Sequence, residues 1–422
     1  MTGKTTPDHK SLSRRSVLKA SAGVAALGAI GAPAISYAQA ETIKIGHITP
    51  RTGFLGPLGE YAAQAVQLAA EEINAAGGVL GRRIELILDD SPNPQQASAK
   101  AERLVQRDKI IALLGEISSA SALAIAQVVQ REKVLFINTG ANSDALRGSD
   151  CQKFMFHIEA QNSMYVKAVG RSLIRDGLVS GKRWYSLTAD YAFGHDLLNV
   201  AKRYMAANGG NHAGDDLIPT DLADFSPFLL KIRQARPDVV CLNLAGTQIT
   251  NFLKQYAEFG LTFPVAGFGF DTALAWGAGR GNFGGIWPVV WHHLIDTPGS
   301  KSFVSGFQRK YNRMPENQAW GDYCSLKIVA QAIAETRATD PVKIVEHFEK
   351  GAKFDLLKTR EGYFRAKDHQ MMMEMYAITA LPAAQIRNQY DIFTSSPPVP
   401  AANESLEVIA ATDDENKCTF RA

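Results

Sequence analysis

The fold is decided by residues 42–88, TIKIGHITPRTGFLGPLGEYAAQAVQLAAEEINAAGGVLGRRIELIL, where a β-branched run, an amphipathic run and a second β-branched run follow one another. The first run has the composition of a strand, and apolar residues then recur at helical spacing over residues 59–76. Gly77 and Gly78 end the predicted helix, and residues 83–88 form the next strand. This order is typical of a βαβ unit, whose two strands lie parallel in one sheet.

The same alternation continues along the chain in two series. The first adds helices and strands over residues 94–107, 110–115, 120–132 and 134–138. After a break near residues 159–162, the second has strands and helices over residues 183–188, 193–208, 215–219, 225–235, 238–242, 248–259 and 264–267. From residue 287 the pattern predicts a loop, helices over 319–337 and 341–350, a strand over 374–381 and an irregular tail from residue 388. We therefore predict an α/β fold with two doubly wound lobes.

Residues 1–40 have the features of a removable export signal. Arg14 and Arg15 precede an apolar run over residues 20–36, which is too short and too rich in Gly and Ala to span a membrane. A small-residue cleavage site ends at Ala40. The pattern resembles a twin-arginine leader, and an ordinary secretory leader is the alternative. Both predict a mature chain outside the cytoplasm, and because no Cys follows the apolar run we expect no lipid anchor.

The charge of the chain argues against binding to nucleic acid or to a membrane surface. The full sequence has 45 basic and 42 acidic side chains, but residues 1–40 hold five of the basic ones and one acidic one. The remainder is close to neutral and has no basic run, so it lacks the electrostatic pattern of a nucleic-acid binder. About 380 remaining residues, from a chain that is 46% hydrophobic, favour two domains.

No motif in the sequence indicates catalysis, a cofactor or a metal. The chain has no Gly-x-Ser-x-Gly, His-Glu-x-x-His, Walker or complete dinucleotide-binding motif. His292 and His293 are adjacent, so in a strand they point to opposite sides, and no acidic or Cys cluster accompanies them. The methionine run at residues 371–373 favours packing over metal binding. We expect a protein that is not an enzyme and holds no cofactor.

The four cysteines divide into two kinds. Cys241 lies in an apolar strand and Cys324 in a helix, so both are expected to be buried thiols. Cys151 and Cys418 lie in polar, loop-like segments of a chain predicted to reach an oxidising compartment. We predict a disulfide between them, and two unpaired thiols are the alternative.

Ligands of open α/β sheets bind at the carboxyl ends of strands, where loops and helix N-termini present backbone N–H groups. In the first lobe this rule selects residues 51–56, 116–121 and 139–143. Ser118 and Ser119 end a strand and open a helix, so their hydroxyl and amide groups are candidates for holding a carboxylate. The alternative is that they only cap the helix.

Four segments of the chain carry a family resemblance. They are residues 71–81, EEINAAGGVLG; residues 190–194, DYAFG; a segment that begins DFS at residue 224 and ends RPDVV at residue 240; and residues 254–260, KQYAEFG. Together and in this order, they resemble the leucine/isoleucine/valine-binding proteins of ABC transporters. The resemblance implies a type I periplasmic binding fold, whose two lobes are joined by three crossovers, near residues 160, 288 and 350.

The resemblance also implies domain limits and a function. Residues 41–160 with 289–350 form the N-terminal lobe, and residues 161–288 with 351–422 form the C-terminal lobe. The expected function is that of a periplasmic solute-binding protein, which closes over a small amino acid or related carboxylate and delivers it to an ABC permease. The alternatives are a ligand sensor with the same fold and, less favoured, an exported hydrolase whose nucleophile is one of the two serines.

The first-lobe contacts implied by the resemblance come from three loops. Ser119, together with Gly140, Ala141 and Asn142, is expected to bind the carboxylate and ammonium groups of the ligand. Asn142 stands where the family has a hydroxyl side chain, so an aliphatic amino acid, an amide and an aromatic carboxylate all remain open as ligands. Phe54 corresponds to the aromatic lid of the family.

The second lobe contributes the opposite wall. Tyr191 matches the ligand-contacting tyrosine of the family, with surface packing as its alternative. Asp271 is the nearest candidate for the acidic partner of the ammonium group, and a helix N-cap is the alternative role. Gly246 and Thr247 close the preceding strand and are expected to line the cleft.

Overall fold

The computed structural model describes residues 2–3 and 41–420, so the predicted export signal lies outside the described residues. The strands are β1 (Ile43–Thr49), β2 (Ile84–Asp90), β3 (Ala112–Gly115), β4 (Leu135–Asn138), β5 (Met155–His157), β6 (Arg183–Ala189), β7 (Asn211–Ile218), β8 (Val239–Asn243), β9 (Val265–Gly267), β10 (Ile286–Val289), β11 (Lys353–Phe354), β12 (Gly362–Phe364), β13 (Met371–Met372), β14 (Tyr376–Ala380) and β15 (Phe393–Ser395). The helices are α1 (Gly56–Ala75), α2 (Pro94–Gln106), α3 (Ser119–Glu132), α4 (Asn162–Arg175), α5 (Ala192–Ala207), α6 (Ser226–Ala235), α7 (Thr247–Glu258), α8 (Thr272–Ala278), α9 (Pro298–Tyr311), α10 (Asn317–Thr336) and α11 (Pro341–Glu349). Within the described part of the chain, no helix is both long and apolar enough to cross a bilayer.

The first sheet is parallel throughout, in the order β2-β1-β3-β4-β5. Helices cover both faces: Ile43 and Ile45 share a core with α1 and α10, whereas Ile48 packs with α2 and α3. Burial on both faces explains why β1 is rich in isoleucine, since parallel sheets are covered on each side. Strand β5 was not predicted from the sequence, because it is only three residues long and has no recognisable period.

The second sheet has the order β15-β14-β10-β9-β8-β6-β7, and β14 and β15 run antiparallel to their neighbours. Two predictions are corrected here. The chain from residue 287 was predicted to be a loop, but Ile286–Val289 forms β10, which pairs with β14. The tail was predicted to be irregular, yet β15 pairs with β14, because Ile392 and Phe393 bury their side chains in the core.

The chain passes between the two sheets three times. The first passage leads from β5 into α4, and the second leads from β10 into α9, which packs on α1. A third, antiparallel sheet of β11, β12 and β13 lies beside β5, where the His157 backbone N–H donates to the His369 carbonyl at 3.0 Å. The third passage therefore falls between β13 and β14, later than the predicted crossover near residue 350.

Candidate functional site

A cavity of about 30 Å³ lies where loops from both sheets meet at the carboxyl ends of their strands. The segments after β1, β3, β4 and β5 contribute residues from the first sheet, and the loops after β6, β8 and β9 contribute residues from the second. Five of the residues predicted from the sequence line this inner cavity: Gly140, Asn142, Tyr191, Gly246 and Asp271. Residues that are distant in sequence therefore meet around one space at the carboxyl ends of the strands, where ligands of open α/β sheets bind.

A second, outer cavity of about 210 Å³ lies next to the first, since Leu55 and Tyr191 line both. Two further predicted residues, Phe54 and Ser118, line this outer cavity. The rings of Phe54 and Tyr191 meet edge to face with their centroids 5.7 Å apart. Phe54 and Tyr191, one from each side of the cleft, therefore form an aromatic pair next to the boundary between the two cavities.

Three predicted residues line neither cavity and instead hold the loops in place. The Ser119 hydroxyl is fully buried and accepts the Ser143 N–H at 3.3 Å. The Ala141 N–H donates to the Asn138 side-chain oxygen at 2.9 Å. The Thr247 N–H donates to the Phe54 carbonyl at 3.0 Å, so Thr247 joins the two sides of the cleft through its backbone.

The loop just before α3 is held by a carboxyl group of the chain itself. Glu116 Oε1 accepts the backbone N–H groups of Ile117 at 3.0 Å and Ser118 at 2.7 Å. The Ser118 hydroxyl accepts the Ser121 N–H at 3.4 Å, which is the capping role considered as its alternative. Burial raises the pKa of Glu116 to about 8. The donors expected to hold a ligand carboxylate here are therefore partly used within the chain.

The loop after β4 is organised in the same way. The Asn138 side-chain oxygen accepts the N–H of Gly140 at 3.4 Å as well as that of Ala141. The Asn142 side-chain amide donates to the Ala160 carbonyl at 3.2 Å. These bonds fix the loop against the segment before α4 and engage the N–H groups of Gly140 and Ala141 and the side-chain amide of Asn142.

Two carboxylates line the inner cavity from opposite sides. Glu159, which follows β5, is 3% exposed, and its Oε1 accepts the Tyr165 hydroxyl at 2.7 Å and the Ala160 N–H at 2.7 Å. Asp271 precedes α8, and its Oδ1 accepts the Asn317 amide at 2.6 Å. It stands at the N-cap position but makes no side-chain capping bond. Burial is the main cause that raises the pKa of Glu159 to about 8 and that of Asp271 to about 7.

Further contacts join the two sides of the cleft around the cavities. The Asp144 N–H donates across the cleft to Asp196 on α5 at 2.7 Å, and the same carboxylate accepts the amide of Asn162, from its own side of the cleft, at 2.7 Å. A Cβ atom on Gly246 would lie 2.1 Å from the Phe54 carbonyl oxygen, so only glycine permits this approach. The structure is therefore a closed arrangement of the cleft.

Sequence reasoning missed Glu159 and Tyr165, which line the inner cavity together. Glu159 could have been predicted as a site residue because a carboxylate shortly after a buried strand lies at the strand end, but β5 itself was not recognised. Glu116 was also not predicted as a site residue, although it lies in the loop 116–121, which was selected because it follows the carboxyl end of a strand.

The remaining chemical groups lie away from the cavities. Cys151 and Cys418 are joined by a disulfide, and Cys241 and Cys324 are buried thiols. His293 pairs with Asp391 at 3.0 Å. Over residues 2–3 and 41–420, no group of three or more His, Cys, Asp or Glu side chains is arranged to hold a metal ion.

Comparisons with known proteins agree with this architecture. A family model described as periplasmic binding protein matches residues 42–384, a range that contains strands of both sheets. The chain is similar to Leu/Ile/Val-binding protein homolog 8 of Brucella abortus, with 26% identity over 345 residues that cover 76% of this chain and 83% of that relative. A periplasmic binding protein structure from Burkholderia mallei has a TM-score of 0.82 and 26% identity, covering 90% of this chain and 99% of that one. The amino acid ABC transporter substrate-binding protein from Pseudomonas fluorescens has a TM-score of 0.77 and 25% identity, covering 88% and 99%.

Proposed function

We propose that this chain, which belongs to the periplasmic binding protein family, is an extracytoplasmic solute-binding protein that delivers a small amino acid or related carboxylate to an ABC permease. The observation that carries this proposal is the inner cavity, which residues from both sheets enclose. A solute held there contacts both sides at once. It therefore binds the closed arrangement better than an open one and shifts the population toward closure.

The proposed ligand contacts follow from the two cavities. Gly140, Asn142, Tyr191, Gly246 and Asp271 contact the solute in the inner cavity, and Phe54 and Ser118 contact it in the outer one. We assign Ser119, Ala141 and Thr247 to positioning, because each uses its polar group within the chain.

The proposed lobes differ from the predicted limits at one boundary. The N-terminal lobe comprises residues 41–160 and 289 to about 373, and the C-terminal lobe comprises the rest of the chain from Glu41 onward. The hydrogen bonds between the β13 segment and β5 support this limit, since the Gln370 amide donates to the Glu159 carbonyl at 2.9 Å.

A ligand screen tests the proposal. Amino acids, amines and organic acids are added to the purified protein and the melting temperature is followed. A ligand at a hundred times its dissociation constant stabilises the protein by about 2.7 kcal/mol. We expect at least one such solute to bind and to reduce the radius of gyration in small-angle scattering. A protein that binds none of them contradicts the proposal.

Two alternative functions are a ligand sensor and an exported hydrolase. A ligand sensor with this fold shares the cleft and differs only in its docking partner, so pull-down with the cognate permease separates it from a transport protein. An exported hydrolase needs a serine beside a base. Within the described residues, the hydroxyls of Ser118 and Ser119 accept backbone N–H groups, which gives the hydrolase no support.

Export is proposed to follow the twin-arginine route, with cleavage after Ala40. The family supports a periplasmic location. Replacing Arg14 and Arg15 together by Lys is expected to leave the precursor in the cytoplasm, because this route reads the arginine pair. Cell fractionation and N-terminal sequencing measure the outcome. An unchanged periplasmic yield indicates the general secretory route instead.

A further inference from the structure

Arg147 is a buried cation that, among the described residues, bonds to no carboxylate. It ends a short helical turn after β4, is 2% exposed and lines neither cavity. Its guanidinium donates to four uncharged acceptors: the Gln370 side-chain oxygen at 2.8 Å and the carbonyl oxygens of Ala141 at 2.7 Å, Ser143 at 3.2 Å and Glu159 at 2.7 Å. Burial lowers its pKa to about 10, so it stays charged at neutral pH. Because a buried charge without a counter-ion is costly, an anion near Arg147 would stabilise the site.

One of these hydrogen bonds connects Arg147 to the inner cavity. The Ala141 carbonyl and the Asn142 N–H belong to one trans peptide group, in which the C=O and the N–H point in opposite directions. Because the carbonyl points to Arg147, the N–H points away from it, and Asn142 lines the inner cavity. This N–H has no acceptor within residues 2–3 and 41–420. It is therefore free to donate to a bound solute.

Two further free donors lie at the start of α3. In the described part of the chain the N–H groups of Ser119 and Ala120 have no acceptor, and Ala120 lines the outer cavity. The Ser119 hydroxyl accepts the Ser143 N–H, which ties the start of α3 to the loop that carries Asn142. No Lys, Arg or His side chain of the described residues lines either cavity. The donors left for a carboxylate of the solute are thus backbone N–H groups, without a cation in contact with it.

We infer, resting on the proposed function, that Arg147 is a positioning residue for the carboxylate of the solute. Its guanidinium holds the Ala141 carbonyl, so that the Asn142 N–H is left for the solute, and its positive charge polarises that peptide group. The negative charge of the carboxylate is balanced across one peptide group, without a direct ion pair. Arg147 therefore sets the preference of the site for a carboxylate over an uncharged group of the same shape.

The carboxyl groups of the protein leave the charge of Arg147 largely uncompensated. Those that act on it most strongly are Glu159 and Asp144. Burial is the main cause that raises the pKa of Glu159 to about 8 and that of Asp144 to about 7, so both are mostly or partly protonated at neutral pH. Asp368, which follows them in strength, is paired with Arg365. The positive charge is therefore available to a solute anion.

Matched pairs of carboxylates and amides test the inference by isothermal titration at about pH 6, where the α-amino groups are protonated. Leucine and leucinamide, phenylalanine and phenylalaninamide, and benzoate and benzamide are the pairs, and within each pair only the carboxylate is changed, to a carboxamide. The measured quantity is the carboxylate preference, which is the dissociation constant of the amide divided by that of the carboxylate. A defect that only loosens the loop weakens both members and leaves this ratio unchanged.

Three variants supply the residue-level test. Arg147→Met removes the charge and is expected to lower the carboxylate preference by roughly tenfold or more, as for two charges separated by one peptide group in a protein interior. Arg147→Lys keeps the charge and is expected to recover most of the ratio, even where the affinity for both members falls. The control is Arg360→Met, which should leave the ratio unchanged. Arg360 bonds to Glu374 and to the carbonyl groups of residues 400 and 404, none of which lines either cavity.

A measurement on the wild-type protein does not depend on the folding of any variant. In NMR spectra of protein with 15N-labelled asparagine, the Asn142 amide proton is expected to move downfield when a carboxylate probe binds, because its N–H gains a charged acceptor. Its exchange with water should slow as well. The matching amide should cause a smaller shift.

The outcomes separate the inference from the proposed function. An unchanged ratio in Arg147→Met, an equally low ratio in Arg147→Lys, an equal fall in Arg360→Met or no shift of the Asn142 amide in the wild type overturns the role of Arg147 and leaves solute binding intact. Absence of binding by every probe counts against the proposed function and therefore also against the inference that rests on it.

Discussion

At the scale of single residues, Glu116 shows how a side chain of the protein can take the place expected for a ligand. It has a positive φ of 69° and turns its carboxyl group back onto the N–H groups of Ile117 and Ser118, just before α3. Backbone N–H groups at the start of a helix bond to a suitably placed carboxyl oxygen whether it belongs to a ligand or to the chain. A helix that begins after a strand therefore does not by itself identify a binding site for an anionic ligand.

The buried carboxyl of Glu116 should make stability depend on pH. Its pKa is about 8 in the folded protein because of burial, well above that of an exposed glutamate, so the folded state keeps a proton that the unfolded state loses. The stabilisation from this group is present at low pH and is lost as pH rises to about 8. Glu116→Gln cannot ionise. It is expected to exceed the wild type in unfolding free energy at pH 8 by at least about 1.4 kcal/mol, the value of one pKa unit.

Urea denaturation at pH 5 and pH 8 measures this difference. At pH 5 the two proteins should be nearly equal, because the glutamine oxygen still accepts the two N–H groups. A stability difference that is the same at both pH values would show that Glu116 is ionised in the folded protein.

Ser119 has a structural role that predicts a different outcome. Ser119→Ala leaves the buried Ser143 N–H without its acceptor, so we expect a loss of about 1–3 kcal/mol in unfolding free energy and little change in affinity. Denaturation without ligand and titration with a bound solute measure the two quantities. Reduced affinity at unchanged stability would place Ser119 in contact with the solute.

At the scale of elements, the C-terminal tail is part of the second sheet and is tied to the first-lobe loop before β5. β15 pairs with β14, and the Cys151–Cys418 disulfide closes a separation of 267 residues. The tail also contacts α4, since the Lys167 ammonium donates to the Ala410 carbonyl at 3.0 Å. The tail thus links segments that belong to different lobes in our proposal.

Removing the disulfide tests the contribution of the tail. Cys418→Ser is expected to lower the unfolding free energy by about 2–4 kcal/mol, because the cross-link restricts the unfolded chain. Thermal melting with and without reductant is the measurement, and reductant should shift only the wild-type protein. Intact mass spectrometry provides a control: if reduction does not add two hydrogen atoms to the wild type, the two thiols are unpaired.

At the scale of the whole molecule, closure of the cleft depends on close approach of backbone from opposite sides. Gly246 has a φ of +53° and faces the Phe54 carbonyl, while the neighbouring Thr247 N–H bonds to that same oxygen. These contacts hold the loops after β1 and β8 against each other.

Gly246→Ala should prevent complete closure, because its Cβ would lie 2.1 Å from the Phe54 carbonyl oxygen. We expect weaker solute binding and loss of the ligand-induced decrease in radius of gyration measured by small-angle scattering. Gly260→Ala is the control, since Gly260 also has a positive φ, +63°, but has no atom within 4 Å of the added Cβ. Equal behaviour of the two variants would mean that strain, and not closure, explains the effect.

Local sequence patterns were enough to predict the alternation of strands and helices, the two-lobed α/β fold and the loops at the strand ends. These features depend on the periodicity of apolar residues and on turn residues, and both can be recognised from neighbouring positions in the sequence. Contacts of the folded chain were needed to show that Glu159 and Asp271 line one cavity, that Glu116 and Asn138 accept some of the expected N–H donors, and that the tail joins the second sheet. Each of these depends on contacts between segments far apart in the chain, where the free energy of burial and not a local pattern selects the partner.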